Sequence, residues 1–244
     1  MLSMEIYPDS IYYLQGRVTG EDFRVSDLRE MPLFPLGTVL FPGMILPLHI
    51  FEPRYRLMIK GCIENSLPFG VVLIEKGHEV GDVVVPYDVG TSAYITHVDP
   101  LDDGRMNIQA VGYQRFRVLE FKYDKPYLSG MIKQFPLEGI EDDLVGTAVK
   151  ELLPHLHHYI DTFIQAAEVD INLDQIPDDP LALALFAAIA LPLPMKDKQK
   201  LLAEPALTPI LRMERDMLRR EQMLLQHMIV QQDRGDDSPL ISAN

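Results

Sequence analysis

No Gly-Lys-Ser or Gly-Lys-Thr triplet occurs in this chain, which excludes a P-loop, whose backbone donors and lysine cradle a nucleotide's phosphates. No Gly-x-Ser-x-Gly elbow occurs either, so no serine stands in the local context of a hydrolase nucleophile; a dispersed Ser-Lys pair is left as a minor reading. Cysteine is reduced to Cys62, so one chain can build neither a disulfide nor a thiolate zinc site, and a reducing compartment is expected. Cys62 lies in an apolar stretch and reads as packing. Long apolar runs are also missing. The longest, 181–191, is followed by Pro192 and Pro194 and is too short to span a bilayer. The first ten residues have no basic flank or apolar run of the kind a signal peptide needs, so a soluble, cytoplasmic protein is expected. Positive charge is scarce: 22 Lys and Arg against 36 Asp and Glu give a net charge of −14. Without a basic stripe the chain lacks the electrostatic footprint of a nucleic-acid binder, and its acidity argues against an anionic membrane surface. The one basic cluster, Arg212, Arg215, Arg219 and Arg220, alternates with Glu214, Asp216 and Glu221 and reads as a solvated helix face.

What is present is ordinary globular material, 47% apolar and 24% charged over 244 residues, enough to bury a sizeable core. Residues 1–30 form a polar lead-in with some strand character at 11–14 and 23–25. Residues 31–136 read mostly as strand: 31–36, punctuated by prolines as an edge or bent strand would be; 45–50, after a Pro42–Gly43 turn; 69–75; a loop-rich stretch around 83–85; 93–98; 105–111; 116–121; and 128–135. Asp103–Gly104 between two strand-like runs is the strongest hairpin signal in the chain. One helix interrupts this part. Pro53 suits its first turn, and Tyr55, Met58, Ile59, Cys62 and Ile63 recur at three- and four-residue spacing up to about Asn65. After Pro136 the pattern turns helical: 141–167, which Pro154 should kink or split; an Asp- and Pro-rich loop at 173–180; 181–191; 196–203; and a long amphipathic helix over about 206–232. Residues 235–244 read as a polar tail. Strands followed by helices predict an α+β fold, with a β domain over 31–136 and a helical subdomain over 137–234.

Candidate chemistry is sparse. His155, His158 and Asp161 drift around a helix instead of converging; His157 and Asp161 lie one turn apart, but a polar helix face near Pro154 accounts for all of them. Arg54, Arg56, Arg105, Arg115 and Arg117 stand among Glu52, Asp102, Asp103 and Glu120 and read as internal ion pairs pinning turns to strands. In the long helix the pairs Ile210/Leu211, Met217/Leu218 and Leu224/Leu225 recur every seven positions as a narrow stripe, suited to packing on other helices or to self-association.

The run Pro32–Leu33–Phe34–Pro35–Leu36, then Phe41–Pro42–Gly43, Leu46–Pro47–Leu48 and Phe51–Glu52–Pro53–Arg54–Tyr55, resembles the opening of the Lon protease N-terminal domain family. A second block, Leu101–Asp102–Asp103–Gly104–Arg105 up to Gly112 and then Arg115–Phe116–Arg117–Val118, resembles that family's middle signature. The two together cover about 31–136, and a weaker likeness continues through Leu191–Pro192–Leu193 and 198–202. The chain is most similar to the small bacterial members that stand alone. The resemblance implies a bent, barrel-like β domain of the PUA-like type followed by a helical bundle, of the kind that in Lon recognises unfolded or tagged proteins and helps assembly; cereblon carries a related domain. It implies no catalytic residue, no metal and no cofactor, since the ATPase and Ser-Lys peptidase parts are not in this sequence.

The expected function is therefore a protein- or peptide-binding module of protein quality control, accepting an extended segment by strand addition. Leu46, Leu48, Phe51 and Tyr55 are the candidate contacts, although residues of these types are more often core than surface. The rival readings are an adaptor or regulator of a separate protease, acting or self-associating through 206–232, and an unrecognised hydrolase.

Overall fold

The computed structural model describes residues 28–77, 84–167 and 176–236, with side chains through Thr162 in the second stretch and Met223 in the last. The 11–14 and 23–25 strand readings, and the tail beyond 236, lie outside these residues.

The Asp103–Gly104 turn forms as expected. Gly104 takes φ 78°, its N–H donates to the Leu101 carbonyl at 2.9 Å, and the Leu101 N–H donates to the Arg105 carbonyl at 2.9 Å. The strands it joins, β4 (Val85–Pro100) and β5 (Met106–Lys122), are longer than the pattern suggested. Val85, the last residue of the loop-rich stretch, and the run at 93–98 belong to one strand, and the runs at 105–111 and 116–121 to another, while residue 83 lies outside the described residues. Gly90 and Gly112 look like interruptions in sequence, yet each is a point of close backbone approach inside a strand. A Cβ at Gly90 would lie 2.3 Å from the Val71 carbonyl oxygen, and one at Gly112 would lie 2.2 Å from that of Phe41.

Length lets β5 serve two ladders. Its first half pairs with β2 (Ile45–Ile50) and its second half with β6 (Ser129–Gln134), while β4 runs along most of its other side. β4 pairs with β3 (Phe69–Lys76), β3 pairs in parallel with β1 (Arg29–Leu36), and β1 pairs with β6. The ladders β5–β4–β3–β1–β6–β5 thus run in a ring, with β2 outside it. Register shifts at Thr91/Ala93, Ile95/His97 and Val118/Glu120 supply the bends that ring closure needs. This is a ring-like mixed sheet, not a regular barrel. Glu30 fastens the seam between its first strand and its last turn: it accepts from Lys122 at 3.0 Å, from Ser129 at 3.1 Å and from Lys125.

Met31, Leu33, Val72, Phe116 and Ile132 form the apolar cluster of the ring. A second cluster joins the sheet to α1 (Pro53–Asn65), which buries Tyr55, Met58, Ile59 and Cys62 and ends at Ser66 in the left-handed region, φ 53°. Ile63, expected on that face, is exposed. A third cluster is helical: α2 (Val145–Ala167), α3 (Pro180–Ala190), α4 (Met195–Ala203) and α5 (Leu207–Asp236) pack together and against Val39, Phe41, Leu73 and Val89 of the strand-rich part. α2 continues through Pro154 as one helix. Asp179 caps α3, its carboxylate accepting from the Ala182 N–H at 2.8 Å. The architecture is α+β, with two apolar clusters shared between strands and helices.

The described part of the stripe on α5 is a core face: Leu207, Ile210, Leu211, Met217 and Leu218 are buried, while the Leu224 and Leu225 side chains lie outside the described residues. The solvated-face reading holds for Arg212, Arg219 and Arg220 but fails for Glu214, which is 0% exposed. Three residues from Leu211 and four from Leu218, Glu214 lies on the same side of the helix as both, and α5 is covered there.

Candidate functional site

β2 is the sheet's open edge among the described residues, since it pairs only with β5. The Gly112 N–H donates to the Met44 carbonyl at 2.9 Å, so by the alternation of an antiparallel ladder Leu46, Leu48 and Ile50 direct their main-chain groups at β5. Ile45, Pro47 and His49 then turn theirs outward. The donor that Pro47 lacks is therefore missing on the outer side, where a sheet tolerates proline.

Leu46 and Ile50 are buried toward α1, Leu48 is half-buried, and the chain leaves the strand at Phe51, which is 47% exposed. Beside this edge lies a groove of about 210 Å³ lined by Phe34, Pro47, Leu48, Phe51, Glu52 and Tyr55, among others. Its floor is stiff. The Phe34 and Tyr55 rings stack at 4.1 Å, the Arg54 guanidinium lies 4.6 Å from the Tyr55 ring centroid, and Arg54 Nε donates to Glu52 at 3.0 Å. Leu48, Phe51 and Tyr55 thus meet at one groove, whereas Leu46 does not line it. Only Leu48 and Phe51 offer appreciable surface; Tyr55 is 6% exposed and serves the core. Composition does not separate these roles, because all four residue types suit either.

A second concavity had no signal in the sequence. A cavity of about 330 Å³ lies where β5 and β6 meet the helices, walled by Phe41, Tyr113, Arg115, Phe135, Leu185 and Ile210, among others. Its closure depends on contacts between residues roughly 70 to 110 positions apart. Arg115 Nη1 donates to the Leu202 carbonyl at 2.9 Å and to the Glu204 carbonyl at 2.6 Å, at the C-terminal end of α4. Gln199 of α4 donates to the Val89 carbonyl at 2.9 Å. Glu138 and Ala206 form a parallel bridge, with the Leu207 N–H donating to the Glu138 carbonyl at 3.0 Å. Burial pushes the Arg115 guanidinium down to about 10, against the raising effect of the Glu204 carboxylate, so it remains cationic at neutral pH.

The arginine reading is thereby corrected at two positions, Arg115 and Arg56, the latter entering no ion pair among the described residues. Arg54 pairs with Glu52 at 2.9 Å and Arg105 with Asp103, as expected, and Arg117 reaches Asp88 at 3.7 Å. Arg115 instead caps a helix through main-chain carbonyls, satisfying orphan acceptors where a cation is favoured.

The remaining candidates show little chemistry. Cys62 is buried and its thiol is pushed up to about 11 by desolvation, so it is not a thiolate at neutral pH. His155 Nδ1 lies 3.3 Å from Gln222 Oε1 of α5, while His157 and His158 are exposed. Among the described residues no three His, Cys, Asp or Glu side chains are grouped to hold a metal ion, and no helix is long and apolar enough to cross a membrane.

Comparison with known proteins places this geometry in context. The model of the ATP-dependent protease La (LON) substrate-binding domain matches residues 30–220. The chain is 28% identical over 208 residues to the Lon protease of Brevibacillus choshinensis, covering 82% of this chain but 27% of that one. It is 31% identical over 132 residues to a LON peptidase N-terminal domain and RING finger protein of Schizosaccharomyces pombe, covering 49% of this chain and 26% of that one. The solved Lon N-terminal domain protein from Xanthomonas campestris matches with a TM-score of 0.54 at 26% identity, covering 76% of this chain and 96% of that one. The chain thus spans about a quarter of the curated protease's length and nearly the whole of the solved domain.

Proposed function

This chain belongs to the Lon protease substrate-binding domain family, and from that premise we propose that it is a recognition module that binds extended segments of unfolded protein and cuts none of them. The observation that carries the reading is the β2 edge, with outward main-chain groups at Ile45, Pro47 and His49 beside a groove that presents Leu48 and Phe51. An extended client adds as a strand, which reads no sequence, and places alternate side chains in the groove, which prefers apolar ones. Pro47 and the shortness of β2 limit how much client can pair, and so keep the edge from templating aggregation.

Support for a module without bond-breaking chemistry comes from the match itself, which is to a substrate-binding domain, and from the buried, protonated state of Cys62. The adaptor alternative, working through 206–232, draws less support, because α5's apolar side chains from Leu207 to Leu218 are already buried in the helical core.

Phe51 is the residue to test, because its exposure allows a charge without a folding penalty. Phe51→Asp is expected to weaken binding of reduced, carboxymethylated α-lactalbumin at least tenfold, or about 1.4 kcal/mol. Fluorescence anisotropy with the labelled client measures this, alongside a melting curve that shows the variant folded. A folded variant that binds as the parent does would refute the β2 edge as the site. Casein left intact after prolonged incubation with the purified chain is the expected control.

A further inference from the structure

The cavity between β5, β6 and the helices has a composition that a structural gap does not need. Its walls are mostly apolar, with Phe41, Leu185 and Ile210 among them, yet Arg115 also lines it at 8% exposure. One guanidinium nitrogen is used by the carbonyls of Leu202 and Glu204; the other, Nη2, is enclosed and donates to nothing. Desolvating a guanidinium is costly, and leaving one nitrogen without an acceptor adds to that cost. The Phe135 ring stands beside two cations, its centroid 4.8 Å from the Arg115 guanidinium and 4.6 Å from that of Arg117. The Glu204 carboxylate offsets part of the Arg115 charge from a distance without bonding to it. In a chain of net charge −14, this is a local place for an anion.

We infer that this cavity takes the C-terminal residue of a polypeptide: an apolar side chain among Phe41, Leu185 and Ile210, and an α-carboxylate at Arg115 Nη2. The size fits, because about 330 Å³ is at the small end of ligand cavities and suits a chain end better than a continuous segment. The charge also fits, since a guanidinium matches a carboxylate and here the protein side is already desolvated. The guest reaches Nη2 as the half-buried Phe135 ring gives way. Gln114 and Gln134 line the same cavity and offer amide groups to the guest's last peptide bond. This rests on the reading of the chain as a binder of unfolded protein, but it uses a site other than the β2 edge.

The test is calorimetric titration of the full chain with N-acetyl-Gly-Gly-Phe as the free acid, the same peptide as the C-terminal amide, and 3-phenylpropionate. The free acid is expected to bind at least tenfold more tightly than either of the others. Equal binding of acid and amide would overturn the carboxylate's role. Equal binding of 3-phenylpropionate would overturn the choice of a chain end in favour of a free carboxylate. Leu185→Trp fills the cavity from a half-buried position, so a folded variant is expected to lose the acid's binding, and retention would place the site elsewhere. Arg115→Lys, checked by melting because Arg115 also ties the helices to β5, is expected to lower the acid's affinity at least tenfold and leave the amide's unchanged. Phe51→Asp is expected to leave the tripeptide's affinity unchanged, which keeps failure of this site separate from failure of the β2 edge.

Discussion

Gly112→Ala should destabilise the fold by about 3 kcal/mol or more, a loss that overpacking alone reaches at its upper end. The added Cβ would lie 2.2 Å from the Phe41 carbonyl oxygen, and a backbone atom cannot rotate out of the way as a side chain can. The 41–44 turn would have to lift off β5. That movement strains two further hydrogen bonds, Gly43 N–H to the Gly112 carbonyl at 2.8 Å and Gly112 N–H to the Met44 carbonyl at 2.9 Å, each worth about 1 kcal/mol net. It also pulls on Leu40, whose carbonyl accepts from the Thr91 hydroxyl at 2.6 Å. For a domain of this size, 3 kcal/mol lowers the melting temperature by about 6–12 °C. The consequences reach both candidate sites, because Met44 leads directly into β2 and Phe41 walls the cavity. Gly61→Ala is the control. It sits inside α1 with nothing within 4 Å of the new methyl, so it should stabilise by up to about 1 kcal/mol. Matched melting curves for the two variants would disprove the close-approach explanation.

Glu214→Leu should do the opposite and raise stability, by about 1–3 kcal/mol at pH 4, the usual cost of a buried polar group left without a partner, and by more as pH rises toward neutrality. Neither carboxylate oxygen of Glu214 has a hydrogen-bond partner, and the residue is 0% exposed. Burial disfavours the charged form and raises the carboxyl well above its ordinary 4.5. Below that ordinary value the folded and unfolded chains both hold the proton, and the group has no linked effect. As pH rises above 4.5 the unfolded chain ionises while the folded chain stays neutral. Stability then falls by up to about 1.4 kcal/mol per pH unit until the folded carboxyl itself titrates. Glu214→Gln should abolish this slope while keeping a buried polar group, whereas Glu214→Leu removes both. Urea denaturation of the three proteins between pH 4 and pH 9 separates the contributions. A parent-minus-Gln difference that does not change with pH would show that Glu214 is not buried as a neutral acid.

Local order was legible because local chemistry sets it. Pro53 followed by apolar residues at three- and four-residue spacing defines α1 to its last residue, and Ile45–Ile50 emerges as a strand with its predicted limits. The Asp103–Gly104 turn needed only a residue tolerant of positive φ between two alternating runs. Gly90 and Gly112 show where this reasoning fails. A glycine that ends a strand and one that admits another backbone look the same along the chain; only the carbonyl at 2.2–2.3 Å tells them apart.

The candidate site divides in the same way. The four residues singled out around β2 lie close together in the chain, but which of them face the groove depended on the ladder's phase and on what covers each side. What the sequence determined by itself was the identity of its elements, their order, and a family likeness carried by turns and short apolar runs. These follow from interactions within a few residues. The tertiary structure alone decided that β1 lies parallel to β3, that β5 reaches both β2 and β6, that Arg115 meets the end of α4, and that Glu214 lies on the buried face of α5. Each of these joins residues tens of positions apart, where the cost of closing the loop is met by packing that no local pattern encodes.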